Sequence, residues 1–221
     1  MNILALETSG ESASVALWRD GEVTQRSMTA ANQHSRVVLA MIDQILDEAK
    51  ISLGKLSAIA FSSGPGAFTG LRIGCGVAQG LALGAGIATI AIATPRALAE
   101  ASGAERVLAA VDARMGEIYL AAYERSGPAW QTLLEPTLIK ADDAPRLPGN
   151  FYGIGSGFAV AEGALVDAYR DQLITVDAAA VPHAAMVAAL AARTPPELWR
   201  DPAEAAPLYV RNKVALTIAE R

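Results

Sequence analysis

An α/β fold in two similar halves is what this sequence predicts, and three observations carry the expectation. The 221 residues are 52% hydrophobic but only 19% charged and 5% aromatic, enough apolar mass for a real core and too little charge for disorder. Short β-branched and aliphatic runs alternate with longer amphipathic or apolar stretches, the order of strands and helices in an α/β unit. That order occurs twice, which divides the chain into expected units 1–102 and 103–221.

The first unit opens with strand residues 2–6, a polar turn at 7–12 and a second strand at 13–18. Asp20-Gly21 is a tight-turn pair leading into a third strand at 22–28. A helix over 33–50, a strand over 56–61, a loop at 62–68 and a glycine-rich helix over 68–83 follow. Residues 73–93 carry no charge and are long enough to span a bilayer. Gly84-Ala85-Gly86 is a helix stop, however, and the β-branched run 87–92 reads as a buried strand, so a helix–turn–strand and no membrane span is expected. Thr94 is read as the cap and Pro95 as the first residue of a short helix to Ser102.

The second unit repeats the opening, with strands at 106–111 and 117–123 and a third near 130–134. A strand at 151–154 meets Gly155-Ser156-Gly157, which leads into a helix ending near Arg170. A short strand at 174–176, a helix over 183–193 and a Pro-rich surface loop over 194–207 complete the reading.

Composition excludes several function classes. The single Cys75 cannot form an internal disulfide, and His34 and His183 cannot supply a typical zinc site. Eighteen basic against 23 acidic residues give −5, the wrong sign for a chain that holds nucleic acid alone. The first residues have no basic segment before Glu7 interrupts the apolar run, so no secretory signal is expected. No Gly-x-Ser-x-Gly or His-Glu-x-x-His pattern occurs, and no catalytic or metal-ligating set is assigned. The segment 62–70 joins a strand to a helix, the setting of an anion loop, but it lacks the Gly-Lys-Ser/Thr ending. Asp112, Arg114 and Glu117 share a strand turn and are read as a structural ion pair.

The two early helices say more. Helix 33–50 gathers Arg36, Asp43, Asp47 and Lys50 on one side and spreads apolar residues over about half the cylinder, against the ~100° needed for one core. Helix 68–83 has only Arg72 and Gln79 as long polar side chains. Either the helices bury each other in one core, or the surplus marks a partner surface.

Five blocks resemble the bacterial TsaB (YeaZ) family, in order: Ile3-Leu-Ala-Leu-Glu-Thr-Ser9, Ser14-Val-Ala-Leu17, Gly64-Pro-Gly-Ala-Phe-Thr-Gly-Leu-Arg-Ile-Gly74, Asp112-Ala-Arg-Met-Gly-Glu-Ile-Tyr119 and Pro207-Leu-Tyr-Val-Arg211. The resemblance runs from Met1 to about Ala215, and the Gly-Pro-Gly-x-Phe-Thr-Gly block is highly specific. It implies two actin-like (ASKHA, ribonuclease-H-like) lobes with mixed sheets flanked by helices. It also implies a cytoplasmic, non-catalytic subunit that dimerises with the TsaD transferase. That complex forms N6-threonylcarbamoyladenosine next to the anticodon of ANN-decoding tRNAs, using threonylcarbamoyl-adenylate supplied by TsaC-type enzymes. The ATPase TsaE joins, a homodimer forms when TsaD is absent, and tRNA is met only through the complex. No cofactor is expected on this subunit, since ATP/ADP and metal belong to its partners. The family's helical bundle, with the apolar arcs above, places His34, Val37, Val38, Met41, Ile45, Arg72, Cys75, Gly76 and Gln79 on or beside the interface. Which helix edge faces the partner stays open. Actin-like ATPases hold phosphate on an Asp-x-Gly-Thr turn. The segment here is Glu7-Thr8-Ser9-Gly10, where the family usually has Asp in place of Glu7, so Thr8, Ser9, Gly10 and Asp112 are the candidate nucleotide positions. An active actin-like ATP-dependent transferase or kinase is the alternative, and a peptidase the third.

Overall fold

The computed structural model describes residues 1–29 and 34–211, and the side chains of His34 and Ser35 fall outside the description, as does Gln33 of the expected first helix. Strands β1 (Asn2–Glu7), β2 (Ser12–Arg19) and β3 (Glu22–Thr29) form a meander, followed by α1 (His34–Ala49), β4 (Ala58–Gly64), α2 (Phe68–Ala85), β5 (Ala88–Ala93) and α3 (Thr94–Ser102). The same order returns in β6 (Arg106–Arg114), β7 (Glu117–Ser126), β8 (Ala129–Ile139), β9 (Phe151–Ile154), α4 (Ala164–Ala168), β10 (Leu173–Asp177) and α5 (Ala184–Ala192). Both sheets have five strands, ordered β3-β2-β1-β4-β5 and β8-β7-β6-β9-β10. In each, the meander is antiparallel and the last two strands join parallel to the first. The duplication read from the pattern is thus a duplication of topology.

Strand alternation sorts the core into three layers. Leu4, Leu6, Ile59 and Phe61 point to α1 and α2, whereas Ile3, Ala5, Ala58 and Ala60 point the other way into a central layer. Leu108 and Ala110 face α4, while Val107 and Ala109 enter that same central layer from the second sheet. Helices α3 and α5 lie between the sheets there, and eleven of the twenty-one buried residues in this cluster are alanines. Small side chains let two sheets and two helices approach closely, which explains the alanine-rich composition.

The chain does not divide in space as it does in sequence. Helix α5, from the second half, packs on β1 and β2 of the first sheet. Its first free amides are capped by first-half side chains: Ala184 N–H donates to Ser14 Oγ at 2.9 Å and Ala185 N–H to Gln25 Oε1 at 2.8 Å. Further on, Arg200 pairs with Thr89 of β5.

Three local expectations change. Thr94 is the first helical residue rather than the cap, and its hydroxyl shares a 3.3 Å hydrogen bond with Ser62. The helix expected after Gly155-Ser156-Gly157 is an irregular 3-10 segment, Ser156–Gly163, with Ala161 and Glu162 at positive φ, followed by only five α residues. Strand β8 runs to Ile139 through Pro136, which falls in the register shift between the Leu120–Thr137 and Ala122–Leu134 pairs of this edge strand, where a residue with no N–H to donate is tolerated. Gly86, at φ +66°, ends α2 as a left-handed cap, and no helix among the described residues is long and apolar enough to cross a membrane.

Candidate functional site

The strand ends of both lobes meet at a cleft of about 1050 Å³. One wall is the β1–β2 turn with Ser9, Gly10 and Glu11, and the other carries Asp112, Arg114 and Ser156. Ser9, Gly10 and Asp112 are therefore brought to one cavity from sequence positions a hundred residues apart. Thr8 is buried behind them, its Oγ1 donating to Gly70 O at 2.8 Å.

The turn is locked from behind by α2. Ala67 N–H donates to Ser9 O at 2.7 Å, and a methyl added at Gly66 would sit 2.7 Å from that same oxygen. Methyls at Gly70 and Gly74 would collide with the Thr8 carbonyl and hydroxyl oxygens. These glycines are what allow a helix backbone to lie directly on a β-turn. Glu7 is buried beneath, its Oε1 accepting the Ser9 amide at 2.5 Å, while Oε2 has no hydrogen-bond partner among the described residues. Burial pushes the Glu7 carboxyl above its usual range, against smaller opposing pulls from Ser62 and Ser9.

Asp112 is engaged too. Its carboxylate accepts the Arg114 amide at 2.7 Å and Arg114 Nη1 at 3.1 Å, and Arg114 reaches across the cleft toward Glu11 at 3.5 Å. Glu117 pairs instead with Arg211 at 2.6 Å, and Arg211 also donates to Ala113 O at 2.9 Å. Two residues earlier, Tyr209 packs on Phe68 and accepts from Arg72 Nε at 2.9 Å, and Leu208 N–H donates to Ser63 O at 2.7 Å. Residues 208–211 thus strap one lobe to the other over the cleft. The signal was legible in the Pro207–Arg211 block, but a sequence shows no reason for it until both ends have partners. No group of three or more metal-binding side chains exists among the described residues.

The interface candidates separate by burial. Val38, Met41, Ile45 and Cys75 are buried in the layer between α1, α2 and the first sheet, so they hold the helices down rather than offer a surface. That corrects the reading of α1: its wide apolar arc is consumed by the sheet and α2, leaving Leu39 exposed at 46% and Val37 half-buried. Arg72 and Gly76 are exposed, and half-buried Gln79 donates to Pro202 O at 2.9 Å. His34 lies outside the described side chains. What faces outward on α2 is a row of glycines: among the described residues, no atom beyond the helix's own backbone comes within 4 Å of a methyl placed on Gly76, Gly80 or Gly84. Half-buried Ile73, Val77 and Leu81 border the row, with Leu83 exposed at 68%.

Two sheets of identical topology, a helix pair between them and a cleft at their strand ends define a two-lobed protein of the actin-like class. The family described as tRNA N6-adenosine threonylcarbamoyltransferase (TsaD) matches residues 26–194. Within it, the chain belongs to the TsaB (YeaZ) family. It is 37% identical over 168 residues to the Escherichia coli (strain K12) tRNA threonylcarbamoyladenosine biosynthesis protein TsaB, covering 72% of each chain. To the Haemophilus influenzae TsaB the identity is 34% over 229 residues, 97% of this chain and 95% of the other. The solved structure of YeaZ from Pseudomonas aeruginosa superimposes with a TM-score of 0.82 at 33% identity, over 94% of this chain and 99% of that one.

Proposed function

We propose that this chain is a non-catalytic subunit of the machinery that forms N6-threonylcarbamoyladenosine next to the anticodon of ANN-decoding tRNAs, and that it works by pairing with the TsaD transferase. The relatives' names supply the pathway. The observation that carries the pairing is the outer face of α2, where Gly76, Gly80 and Gly84 leave backbone uncovered beside Ile73, Val77, Leu81 and Leu83. A glycine row flanked by aliphatic side chains admits a second helix at close range, and apolar surface of this kind marks interaction sites on soluble proteins. Arg72 at one end of the row and Leu39 on neighbouring α1 frame the surface. The same face serves a homodimer when TsaD is absent.

The cleft supports the non-catalytic half of the reading. Its turn is backed by α2, its acid at position 7 is buried and tied to the Ser9 amide, and Asp112 is held by Arg114. This subunit then needs no nucleotide or metal of its own, ATP and metal belonging to TsaD and to TsaE. With a net charge of −5, tRNA is held through the complex rather than by this chain, and the reaction places the assembly in the cytoplasm.

Calorimetric titration with TsaD tests the pairing. Gly80→Arg, at a position with open space, is expected to fold normally and weaken TsaD binding by about tenfold or more, some 1.4 kcal/mol. It should also cut threonylcarbamoyladenosine formation in the reconstituted system, while Asp171→Ala changes neither. Unchanged affinity in Gly76→Arg and Gly80→Arg would refute the assigned face.

A further inference from the structure

A second cavity, about 270 Å³, opens between β5, β8 and the C-terminal end of α5, and shares no lining residue with the interlobe cleft. Its lining is mixed: Ile92, Trp130 and Leu190 contribute apolar surface, and two guanidinium groups reach it, Arg96 from the first turn of α3 and Arg193 just beyond α5. Arg193 is committed to Glu100 at 2.7 Å. Arg125 approaches the same carboxylate at 3.5 Å, and Trp130 Nε1 donates to it at 2.7 Å.

Arg96 is different. It lies over the Tyr123 ring and donates from Nη2 to Thr132 Oγ1 at 3.2 Å, but its Nε has no partner and no carboxylate comes within 4.0 Å among the described residues. The other half-buried arginines, Arg26, Arg106, Arg125 and Arg211, each have a carboxylate. Glu135 acts on Tyr123 from the surface, and exposed Glu197 lies in the chain between the lining residues Pro195 and Leu198. Withdrawing a charge from water without a counter-charge is costly, so a half-buried guanidinium lining a cavity is a place where an anion is stabilised.

We propose that this cavity binds a carboxylate bearing an apolar side group, with Arg96 meeting the carboxylate and the aliphatic and indole walls covering the rest. The volume falls just under the ~300 Å³ at which ligand pockets ordinarily begin, room for one amino-acid-sized body. Inorganic phosphate fits the charge but leaves the apolar surface unmatched. A free small carboxylic acid and the C-terminal residue of a peptide present the same chemistry.

The Trp130 indole N–H resonance of the full chain reports occupancy. Titration with phenylacetate, a short peptide ending in a free leucine, its C-terminal amide and inorganic phosphate separates the possibilities. A saturable shift with phenylacetate or the free-acid peptide, silence with the amide and phosphate, and about tenfold weaker binding in Arg96→Gln are expected. Whichever of the two carboxylates binds more tightly names the source. Ala91→Phe, which crowds the rim without touching a charge, keeps the test sound if Arg96→Gln unfolds, and is expected to block binding. No saturable shift up to about 10 mM, below ~3 kcal/mol of affinity, would overturn the proposal. So would equal affinity in both variants, or phosphate matching the carboxylates.

Discussion

The same substitution in one helix should have opposite signs on its two faces. Gly→Ala in an exposed helix interior stabilises by up to about 1 kcal/mol, because alanine restricts the unfolded backbone more. At Gly76 and Gly80 no atom of the described residues beyond the helix's own backbone lies within 4 Å of the new methyl, so this gain should appear undiminished, near 0.5–1 kcal/mol each. At Gly70 the methyl meets the Thr8 carbonyl oxygen, which must retreat by more than an ångström to reach the 3.0 Å that real Cβ atoms keep. That retreat moves the turn whose Thr8 hydroxyl bonds Gly70 O at 2.8 Å. Overpacking typically costs 1–3 kcal/mol and a lost hydrogen bond about 1 more, so the net should be a loss of roughly 1–3 kcal/mol after the helical gain. Urea unfolding of Gly70→Ala, Gly76→Ala and wild type measures the three stabilities side by side. For a chain this long the difference is several degrees in Tm. A Gly70→Ala variant as stable as Gly76→Ala would show that the α2–turn contact is not the reason for glycine there.

The other predictions concern titration and the strap. Glu7 has a raised pKa in the folded state, so the native form holds its proton more tightly and stability falls as pH rises past the ordinary 4.5. Glu7→Gln should therefore gain on wild type as pH rises above 4.5 in urea unfolding; a pH-independent difference would contradict the burial penalty. Glu100 behaves oppositely: burial pushes its carboxyl up, but Arg193, Trp130 and Arg125 together hold it below the usual range. Its contribution is present above 4.5 and lost as pH falls through the folded value, so the deficit of Glu100→Gln should be full at neutral pH and vanish in acid. Arg211→Ala removes the Glu117 and Ala113 contacts and should cost about 1–2 kcal/mol, with faster hydrogen exchange at Leu208 while β1 and β4 stay protected.

The strands were legible because a buried strand writes itself as a short aliphatic run, and residues 2–6, 56–61 and 106–111 did so. The glycine-rich stretch resolved correctly into helix and strand because Gly84-Ala85-Gly86 carries its own stop. The 3-10 segment was hidden, since Gly157 is required by contact with Ala110 and Ile118 of distant strands, and no local pattern reports that. The helical wheel of α1 gave the amount of apolar surface correctly but not its destination: Met41 and Ile45 meet the sheet and α2, contacts set by tertiary neighbours. Arg96 carries no signal of its own in the sequence, and only the lack of a carboxylate within reach among the described residues sets it apart.

The position of α5 has a consequence for how the chain is made. The inner face of the first sheet, with Ile3, Ala5, Ala16, Ala58 and Ala60, is closed in part by a helix a hundred residues downstream. At ribosomal rates of about 5–20 residues per second, that face waits roughly 5–20 s after β5 is synthesised before its cover emerges. During that interval an alanine-rich, hydrogen-bond-satisfied but apolar surface stands open on the nascent chain. A truncated product ending near Ser102 would keep it open permanently, which makes the first half of this sequence a natural client for chaperones rather than an autonomous fold.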